Sequence, residues 1–274
     1  MVKRFFLFIV CSFIVMLGKA QSYNEIVEQA MDYTFKDSLV QAEQLFRQAL
    51  KIDPSNSRNA LLFSNLGTVL KRQGRIDEAI EAYTLALNIT PYSTAILLNR
   101  ASLYMEKNLL DKAYVDYCSV IDLLPKDREA RLFRAYISMK RRNYDEARID
   151  YNVLLAEDMN NKAARLGIIM LDEKEGNIQA ARDGLNLLIN NYPGDTSLLK
   201  MRANLELAQG NKDAALLDLE EVLKLDGKDA ECYVMRGDIY LEMDEKENAK
   251  KAYEQAVTLG IPRGELLERL KSCD

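Results

Sequence analysis

One spacing recurs along most of the chain and constrains its fold more than any other feature. An alanine is followed four residues later by Phe, Tyr or Leu at Ala42/Phe46, Ala79/Tyr83, Ala113/Tyr117, Ala147/Tyr151, Ala181/Leu185, Ala215/Leu219 and Ala249/Tyr253. The first interval between these alanines is 37 residues and each of the next five is 34. A fixed period of this length predicts a solenoid of stacked units rather than one globular core.

Each period predicts two helices joined by a short turn, and the second period shows why. Phe63, Leu66 and Leu70 follow one another at helical spacing, which places their apolar side chains on one face. Gly74 then ends this helix, because glycine readily adopts the left-handed conformation found at helix C-termini. Pro91 ends a second apolar helix, since proline cannot continue one. We therefore predict a helical hairpin for each period.

Small residues at two positions allow the helices of a hairpin to approach each other. Gly67 on the first helix faces Ala79 on the second, and we expect the ring of Tyr83 to fill the space between adjacent units. The same first-helix position holds a small residue in most other units, at Ala30, Ala101, Ala135, Ala203 and Gly237. The fifth unit has Ile169 there, and Gly184 lies within its second helix. We expect these changes to spread or shift that hairpin.

The joint pattern resembles the tetratricopeptide repeat family. In the second unit the residues at the family's signature offsets are Phe63, Leu66, Gly67, Leu70, Ala79, Tyr83, Ala86 and Pro91. The resemblance implies an all-α fold, a right-handed superhelical solenoid of tandem helix-turn-helix repeats that binds peptides or proteins on its concave face. Seven repeats are expected, at about 23–56, 60–93, 94–127, 128–161, 162–195, 196–229 and 230–262.

Two segments depart from the regular repeat. The longer first interval places three extra residues near Pro54–Asn59, a turn-rich stretch that we expect to form a loop. After Pro262, residues 263–274 predict a terminal amphipathic helix with Leu266, Leu267 and Leu270 on one side. Such a helix would cover the exposed end of the stack, as solenoids require for solubility.

A second pattern links charged residues on the two helices of a unit. Arg100, Arg134, Arg202 and Arg236 share one first-helix position, and Asp116, Asp150 and Asp218 share one second-helix position. Both residue types occur in units three, four and six, and both are absent from units one, two and five. The seventh unit has Arg236 but Ala252. This co-occurrence predicts a structural ion pair between the helices of a unit.

The first 20 residues predict a secretory signal peptide that directs the protein to the periplasm or out of the cell. Lys3 and Arg4 precede a short apolar run, and small residues at Gly18 and Ala20 favour cleavage after Ala20. An uncleaved anchor is the alternative, and a lipoprotein with Cys11 as its modified residue is less favoured. The mature chain would carry 34 basic and 42 acidic residues, a net charge of −8. Nucleic acid and anionic lipid are therefore not expected as partners.

The mature chain would keep three cysteines, Cys118, Cys232 and Cys273. A bridge between Cys232 and Cys273 is conceivable, because the C-terminal segment must pack near the last repeat. The favoured interpretation is that all three are small buried hydrophobic residues, since free cysteine is commonly buried.

The sequence favours a non-catalytic protein without a cofactor or metal. Histidine is absent, which removes the commonest general base and the commonest neutral metal ligand. No cysteine pair has zinc-ligand spacing, and no phosphate-binding glycine loop occurs. A basic cluster comprises Lys140, Arg141 and Arg142, with Arg128, Arg131 and Arg148 nearby. It could hold an acidic partner segment, but local ion pairs in a solvated turn are the favoured interpretation.

The resemblance implies a peptide-binding groove lined by the first helix of each unit. The candidate residues are Asn65, Asn99, Phe133, Tyr136, Gly167, Met170, Lys200, Met201, Asn204 and Met235. Asn65 and Asn99 either hydrogen-bond a ligand backbone or are merely tolerated on an open face. The aromatic and methionine side chains either anchor a partner or pack neighbouring helices. Gly167 is expected to leave a shallow notch between Tyr136 and Met201 that receives an apolar side chain.

Three functions remain open at this point. The leading hypothesis is an exported scaffold that binds a protein or peptide, of unknown identity, in its groove. The first alternative is a structural assembly factor of an envelope complex, acting through the convex face or the ends of the array. The second is a glycan-binding module. Lys200 is the one clearly basic groove residue, so a clamp for a C-terminal carboxylate is incomplete.

Overall fold

The computed structural model describes residues 22–274. The predicted signal segment 1–20, with Cys11 and its cleavage site after Ala20, lies outside the described residues.

Every regular element among the described residues is helical. The helices are α1 (Tyr23–Phe35), α2 (Leu39–Ile52), α3 (Asn59–Arg72), α4 (Ile76–Ile89), α5 (Thr94–Glu106), α6 (Leu110–Leu123), α7 (Arg128–Lys140), α8 (Tyr144–Glu157), α9 (Lys162–Lys174), α10 (Ile178–Asn191), α11 (Thr196–Ala208), α12 (Lys212–Leu225), α13 (Ala230–Glu242), α14 (Lys246–Thr258) and α15 (Leu267–Lys271). The predicted all-α fold of tandem helical hairpins is confirmed.

Among the described residues the chain divides after Ile137, within α7, into two compact units, and the second unit is Ser138–Asp274. In the amino-terminal unit, α1 pairs with α2, α3 with α4 and α5 with α6, and each hairpin also packs on the next. In the carboxy-terminal unit, α9 pairs with α10, α11 with α12 and α13 with α14, again with packing between successive hairpins. Contacts in both units are therefore mainly between neighbours in sequence, as expected of a solenoid.

Tyrosine rings pack directly on the small first-helix residues. A Cβ atom added to Gly67 would lie 2.9 Å from ring carbons of Tyr83, and one added to Gly237 would lie 2.4 Å from a ring carbon of Tyr253. Both rings are fully buried. The need for a small residue is confirmed at these two positions, because any larger side chain would displace the ring. Each ring packs on the small residue of its own hairpin, whereas the sequence analysis placed the Tyr83 ring between adjacent units.

In the fifth repeat the large packing residue lies on the first helix and the small one on the second, the reverse of the second and seventh repeats. Ile169 on α9 is 3% exposed, and a Cβ atom added to Gly184 on α10 would lie 2.6 Å from Ile169 Cγ1. The backbones of α9 and α10 are less closely apposed than those of the other hairpins described within either unit. The predicted spreading of this hairpin is therefore present, although Gly184 accommodates most of the Ile169 side chain. The lengths of α9 and α10 match those of α5 and α6.

Each hairpin turn contains one residue in the left-handed backbone conformation. Three of the seven are glycines, and the other four are Asp37, Asn108, Arg142 and Asp244, with φ between 57° and 60°. The glycines are Gly74, Gly176 and Gly210. This conformation reverses the chain after the first helix and fixes the start of the second. Arg142 is the least favourable occupant, because its side chain lacks the short polar group that helps Asn and Asp at positive φ.

Two of the three predicted ion pairs, those of units three and six, form within their hairpins and extend to the preceding repeat. Arg100 Nε and Nη2 donate to the two carboxylate oxygens of Asp116, over 2.9 and 2.7 Å. Arg202 and Asp218 make the same arrangement over 3.0 and 2.6 Å. The remaining guanidinium nitrogen donates to Thr84 Oγ1 from Arg100 and to Asn186 Oδ1 from Arg202. Each arginine therefore joins three helices.

The seventh repeat shows the same arginine without its carboxylate. Arg236 Nε is buried and has no hydrogen-bond partner among the described residues. Its guanidinium lies 5.6 Å from the centroid of the Tyr240 ring and also donates to the Tyr240 hydroxyl. Ala252, where other repeats have aspartate, explains the unsatisfied nitrogen.

The C-terminal segment covers the last repeat. Arg263–Leu266 forms a 3-10 helix that leads into α15, and Leu266 and Leu270 are buried against the seventh hairpin. Leu267 is 46% exposed, so the expected apolar side consists of two leucines and not three. The 3-10 turn changes the helical spacing, which directs Leu267 to solvent.

The cysteines among the described residues are unpaired. Cys232 and Cys273 are buried in separate clusters, and their thiols donate to Leu219 O and Arg269 O. Burial raises the pKa of the Cys232 thiol to about 12. No bridge joins them in this structure, and the interpretation of Cys232 and Cys273 as small buried residues is supported. Cys118 is only half-buried.

Candidate functional site

In the amino-terminal unit, the predicted groove residues divide between packing and exposed positions. The Phe133 ring stacks on Tyr117, with the ring centroids 5.6 Å apart and the planes at 15°. Phe133 therefore packs between successive repeats, which favours the packing interpretation. Tyr136, in contrast, is 43% exposed and offers an accessible aromatic surface.

Of the two groove asparagines, Asn65 has a side-chain donor without a partner among the described residues, and Asn99 contributes a backbone acceptor. Asn65 Nδ2 is buried and has no hydrogen-bond partner among the described residues. The backbone carbonyl of Asn99 accepts a hydrogen bond from the Ser102 hydroxyl over 2.8 Å. A buried amide donor without a partner is costly.

One pocket of the amino-terminal unit lies at the N-terminal halves of α1, α3 and α5. This pocket, here named the α1–α3–α5 cleft, has a volume of about 740 Å³. Val27, Leu61 and Ile96 supply apolar surface from the three helices, and Glu28 and Arg58 supply charges of both signs. Leu61 is 55% exposed although it is apolar. The helices that line the cleft are the first helices of three successive repeats.

Sequence reasoning missed this cleft, although one signal pointed to it. Ser57 and Arg58 line the cleft and belong to the segment that makes the first interval three residues longer. Asn59 holds this segment in place, because its side chain donates to Asp53 O over 2.7 Å and accepts from the Tyr23 hydroxyl over 2.9 Å. The inserted turn is thus an ordered wall of the cleft.

In the carboxy-terminal unit, the methionines of the predicted groove also divide into two kinds. Met201 and Met235 are partly buried and pack against the cores of neighbouring hairpins. Met170 is 43% exposed, and Asn204 is exposed as well. Met170 and Asn204 are therefore the predicted residues of this unit that are most accessible to a partner.

Lys200 is engaged in ion pairs within its own unit. Its ammonium group lies 3.0 Å from both Asp229 and Glu231. Desolvation opposes the charged form, but hydrogen bonds to the two carboxylates prevail and raise the pKa of Lys200. The lysine remains charged but is neutralised locally, so it has little attraction left for a partner's carboxylate.

The expected notch at Gly167 is not open. Gly167 is buried, and a Cβ atom added there would lie 2.2 Å from a ring carbon of Tyr151. The Tyr151 ring, from the second helix of the preceding repeat, therefore fills the space that sequence reasoning assigned to a ligand. Burial raises the pKa of the Tyr151 hydroxyl to about 12.

A different pocket occurs in the same unit, where the spread fifth hairpin meets α11. This pocket, here named the fifth-repeat pocket, has a volume of about 160 Å³. Buried Ile169, Leu185 and Leu205 form its apolar lining, and Met201 and Asn204 also line it. Two of the predicted groove residues therefore border an opening.

Arg148, from the basic cluster, pairs with Asp172 and Glu175 over 2.8 and 2.6 Å, in line with the interpretation that local ion pairs engage it. Residues 22–274 contain no group of three or more Asp, Glu or Cys side chains arranged to hold a metal ion. None of the described helices combines the length and apolar character that crossing a membrane requires.

Comparisons with known proteins agree with this architecture. Residues 155–271 match a family model described as a tetratricopeptide repeat-like domain, and residues 60–93 match one described as a tetratricopeptide repeat. The crystal structure of a tetratricopeptide repeat protein from Parabacteroides merdae is 35% identical, covers 93% of this chain and 99% of that chain, and has a TM-score of 0.69.

Two more distant matches share the fold or a short segment. The crystal structure of MamA protein has a TM-score of 0.58 at 18% identity, covering 64% of this chain and 96% of that one. Mouse (Mus musculus) RNA polymerase II-associated protein 3 is 37% identical over 68 residues, which are 25% of this chain. The matched segment spans only 10% of the mouse protein.

Proposed function

This chain belongs to the tetratricopeptide repeat family, and on that basis we propose that it is a non-catalytic scaffold that binds a protein or peptide along the first helices of its repeats. Members of this family generally bind protein or peptide partners. The α1–α3–α5 cleft is the observation that carries the proposal. Its volume of about 740 Å³ lies within the range of about 300–1,000 Å³ that is typical of ligand sites.

The chemistry of the cleft suits an extended peptide. Exposed Leu61 provides apolar contact at a position where a solvated helix face would carry a polar residue. Glu28 and Arg58 at the cleft can pair with charges of either sign on the ligand. Hydroxyl groups of Ser64 and Ser93 are available to hydrogen-bond a peptide backbone.

A pair of matched substitutions tests where the partner binds. Peptides selected from a random library on the purified protein would be titrated against Leu61→Asp and against the control Leu217→Asp, which changes a 68% exposed leucine on the second helix α12. We expect Leu61→Asp to weaken binding about tenfold or more and the control to change it less than about twofold. The opposite pattern would support binding through second helices, as in the assembly-factor alternative. Equal affinity for all three proteins would refute the cleft as the site.

The absence of histidine from the chain supports a non-catalytic role.

Export to the periplasm or cell envelope is a further part of the proposal, and it rests on the composition of residues 1–20. Expression with a C-terminal tag in a Gram-negative bacterium, followed by fractionation and N-terminal sequencing, tests it. A mature protein that begins at Gln21 in the periplasmic fraction is expected, and a full-length cytoplasmic product would contradict export.

A further inference from the structure

The fifth-repeat pocket lies where α9 carries the large residue Ile169 and α10 carries the small residue Gly184. In the other repeats a small residue on the first helix lets the two helices approach closely, whereas Ile169 holds α9 and α10 further apart. Gly184 receives the Ile169 side chain from the opposite helix. The extra separation leaves an opening next to Leu185 and Leu205, which are 2% and 4% exposed.

The size and lining of this pocket match one aliphatic side chain. Its volume is about 160 Å³, and aliphatic cavities of about 150 Å³ accept a guest as large as benzene. Met201 borders it, and an unbranched methionine can change rotamer to admit or cover a guest. Glu173 and Asn204 supply the polar part of the lining, so an aliphatic guest would lie against the carbon atoms of Ile169, Leu185 and Leu205.

The charges around the pocket favour a cationic neighbour on the ligand. Glu173 lines the pocket, and the adjacent Lys174, at 3.9 Å, is its one ion-pair partner within residues 22–274; both side chains are about half exposed. The nearby cations are engaged elsewhere, because Arg182 pairs with Glu206 and Arg202 pairs with Asp218. Glu173 is thus the charge at the pocket most available to a partner.

We propose that the fifth-repeat pocket binds a single leucine, isoleucine or methionine side chain of a peptide that carries a lysine or arginine beside it. This inference rests on the proposed peptide-binding function and adds a second, chemically defined contact in the carboxy-terminal unit. The apolar side chain would contact Ile169, Leu185 and Leu205, and the cation would pair with Glu173.

The test uses one synthetic probe and methyl NMR of the purified protein. The probe is an acetylated and amidated heptapeptide with a central Leu-Lys in a glycine–serine background. With ¹³C-methyl methionine labelling, we expect the Met201 signal to shift on titration up to about 5 mM peptide, while the Met235 signal stays unchanged. Met235 is a suitable internal control because it occupies the equivalent position of the seventh repeat.

Matched variants separate the two parts of the proposal. Met201→Trp, which fills the pocket, should weaken the probe about tenfold, whereas Met235→Trp should change its affinity less than about twofold. Glu173→Lys should weaken the probe, whereas Glu247→Lys, at a side chain that is 94% exposed on α14, should not. A probe with alanine in place of leucine should bind about tenfold more weakly. Circular dichroism melting identifies any variant that fails to fold.

Binding with no shift at Met201, or no binding at all of the leucine–lysine probe, would overturn the proposal. Equal loss in Met201→Trp and Met235→Trp, with both variants folded, would overturn it as well. The library peptides that test the α1–α3–α5 cleft distinguish these outcomes from failure of the proposed function. If the library peptides respond to Leu61→Asp while the leucine–lysine probe fails to bind, the cleft stands and the fifth-repeat pocket alone is refuted.

Discussion

Replacing Asp116 with alanine tests how strongly the buried ion pairs hold the repeats together. Asp116 is 3% exposed and accepts two hydrogen bonds from Arg100, whose side chain is 17% exposed. Removing one partner of a buried pair costs about 3–5 kcal/mol, since the other charge is left unpaired. Arg100 would keep Thr84 and lies 5.7 Å from the Tyr104 ring centroid. We therefore expect a smaller loss, about 2–3 kcal/mol.

The assay must measure local stability, because long repeat arrays depart from two-state unfolding. Amide hydrogen exchange, read by mass spectrometry, would follow the peptides that span α5 and α6. A loss of about 2–3 kcal/mol corresponds to exchange that is about 30- to 150-fold faster where protection depends on opening of this hairpin. Peptides from the carboxy-terminal unit should exchange at the unaltered rate.

Two further variants decide whether the effect belongs to the ion pair. Asp122→Ala removes an exposed carboxylate from the same helix and should leave exchange almost unchanged. Arg100→Met combined with Asp116→Ala removes both charges and should recover most of the protection. If Asp116→Ala accelerated exchange no more than Asp122→Ala, the inference that this pair stabilises the hairpin would be wrong.

Three other predictions follow from the same packing. Ala252→Asp should supply the missing acceptor to Arg236 Nε and slow amide hydrogen exchange in α13 and α14 about fivefold. Faster exchange would show that the carboxylate does not fit there. Gly184→Ala should speed hydrogen exchange in α9 and α10 by an amount that corresponds to about 1–3 kcal/mol, because its Cβ would lie 2.6 Å from Ile169 Cγ1. Adding Ile169→Ala should restore part of the protection. Burial raises the pKa of Tyr151 in the folded protein from 10.0, the ordinary value, to about 12. Between these two pH values the unfolded chain loses this proton and the folded protein keeps it, so stability should fall as the pH rises through this range. Tyrosinate absorbance and circular dichroism, followed in one alkaline titration, should change together, and full ionisation of the tyrosines with unchanged ellipticity would contradict this.

Much of the fold could be predicted from sequence because its contacts are local. The small residue at Gly67 and the ring of Tyr83 lie 16 positions apart and still pack together, so the repeat itself records the contact. The co-occurrence of Arg100 with Asp116 likewise predicted a pair that the structure contains. In each case both partners lie in one hairpin, and the spacing between them repeats.

The candidate site was less predictable, because it depends on several repeats at once. Gly167 was interpreted as open space, but Tyr151 lies 16 residues earlier and fills it. Phe133 and Tyr117 are also 16 residues apart, and their rings stack. The repeat spacing therefore already indicated that Tyr151 packs on Gly167. The α1–α3–α5 cleft needs three first helices and the turn at Arg58, and no single repeat contains it. Both departures from the regular repeat, the long first interval and Ile169, border pockets.

The left-handed turn residues give this chain an uneven tolerance to mutation. Where Gly74, Gly176 and Gly210 stand, almost any replacement would be strained, whatever space is available. At Arg142 the bias is reversed, because arginine already occupies a conformation with φ of 60° that glycine adopts freely. Glycine, usually a damaging replacement next to a helix, would there be favourable. A saturation-mutagenesis map should therefore show that most substitutions of Gly74, Gly176 and Gly210 are damaging. At Arg142, the equivalent turn position, it should show that substitution by glycine is beneficial.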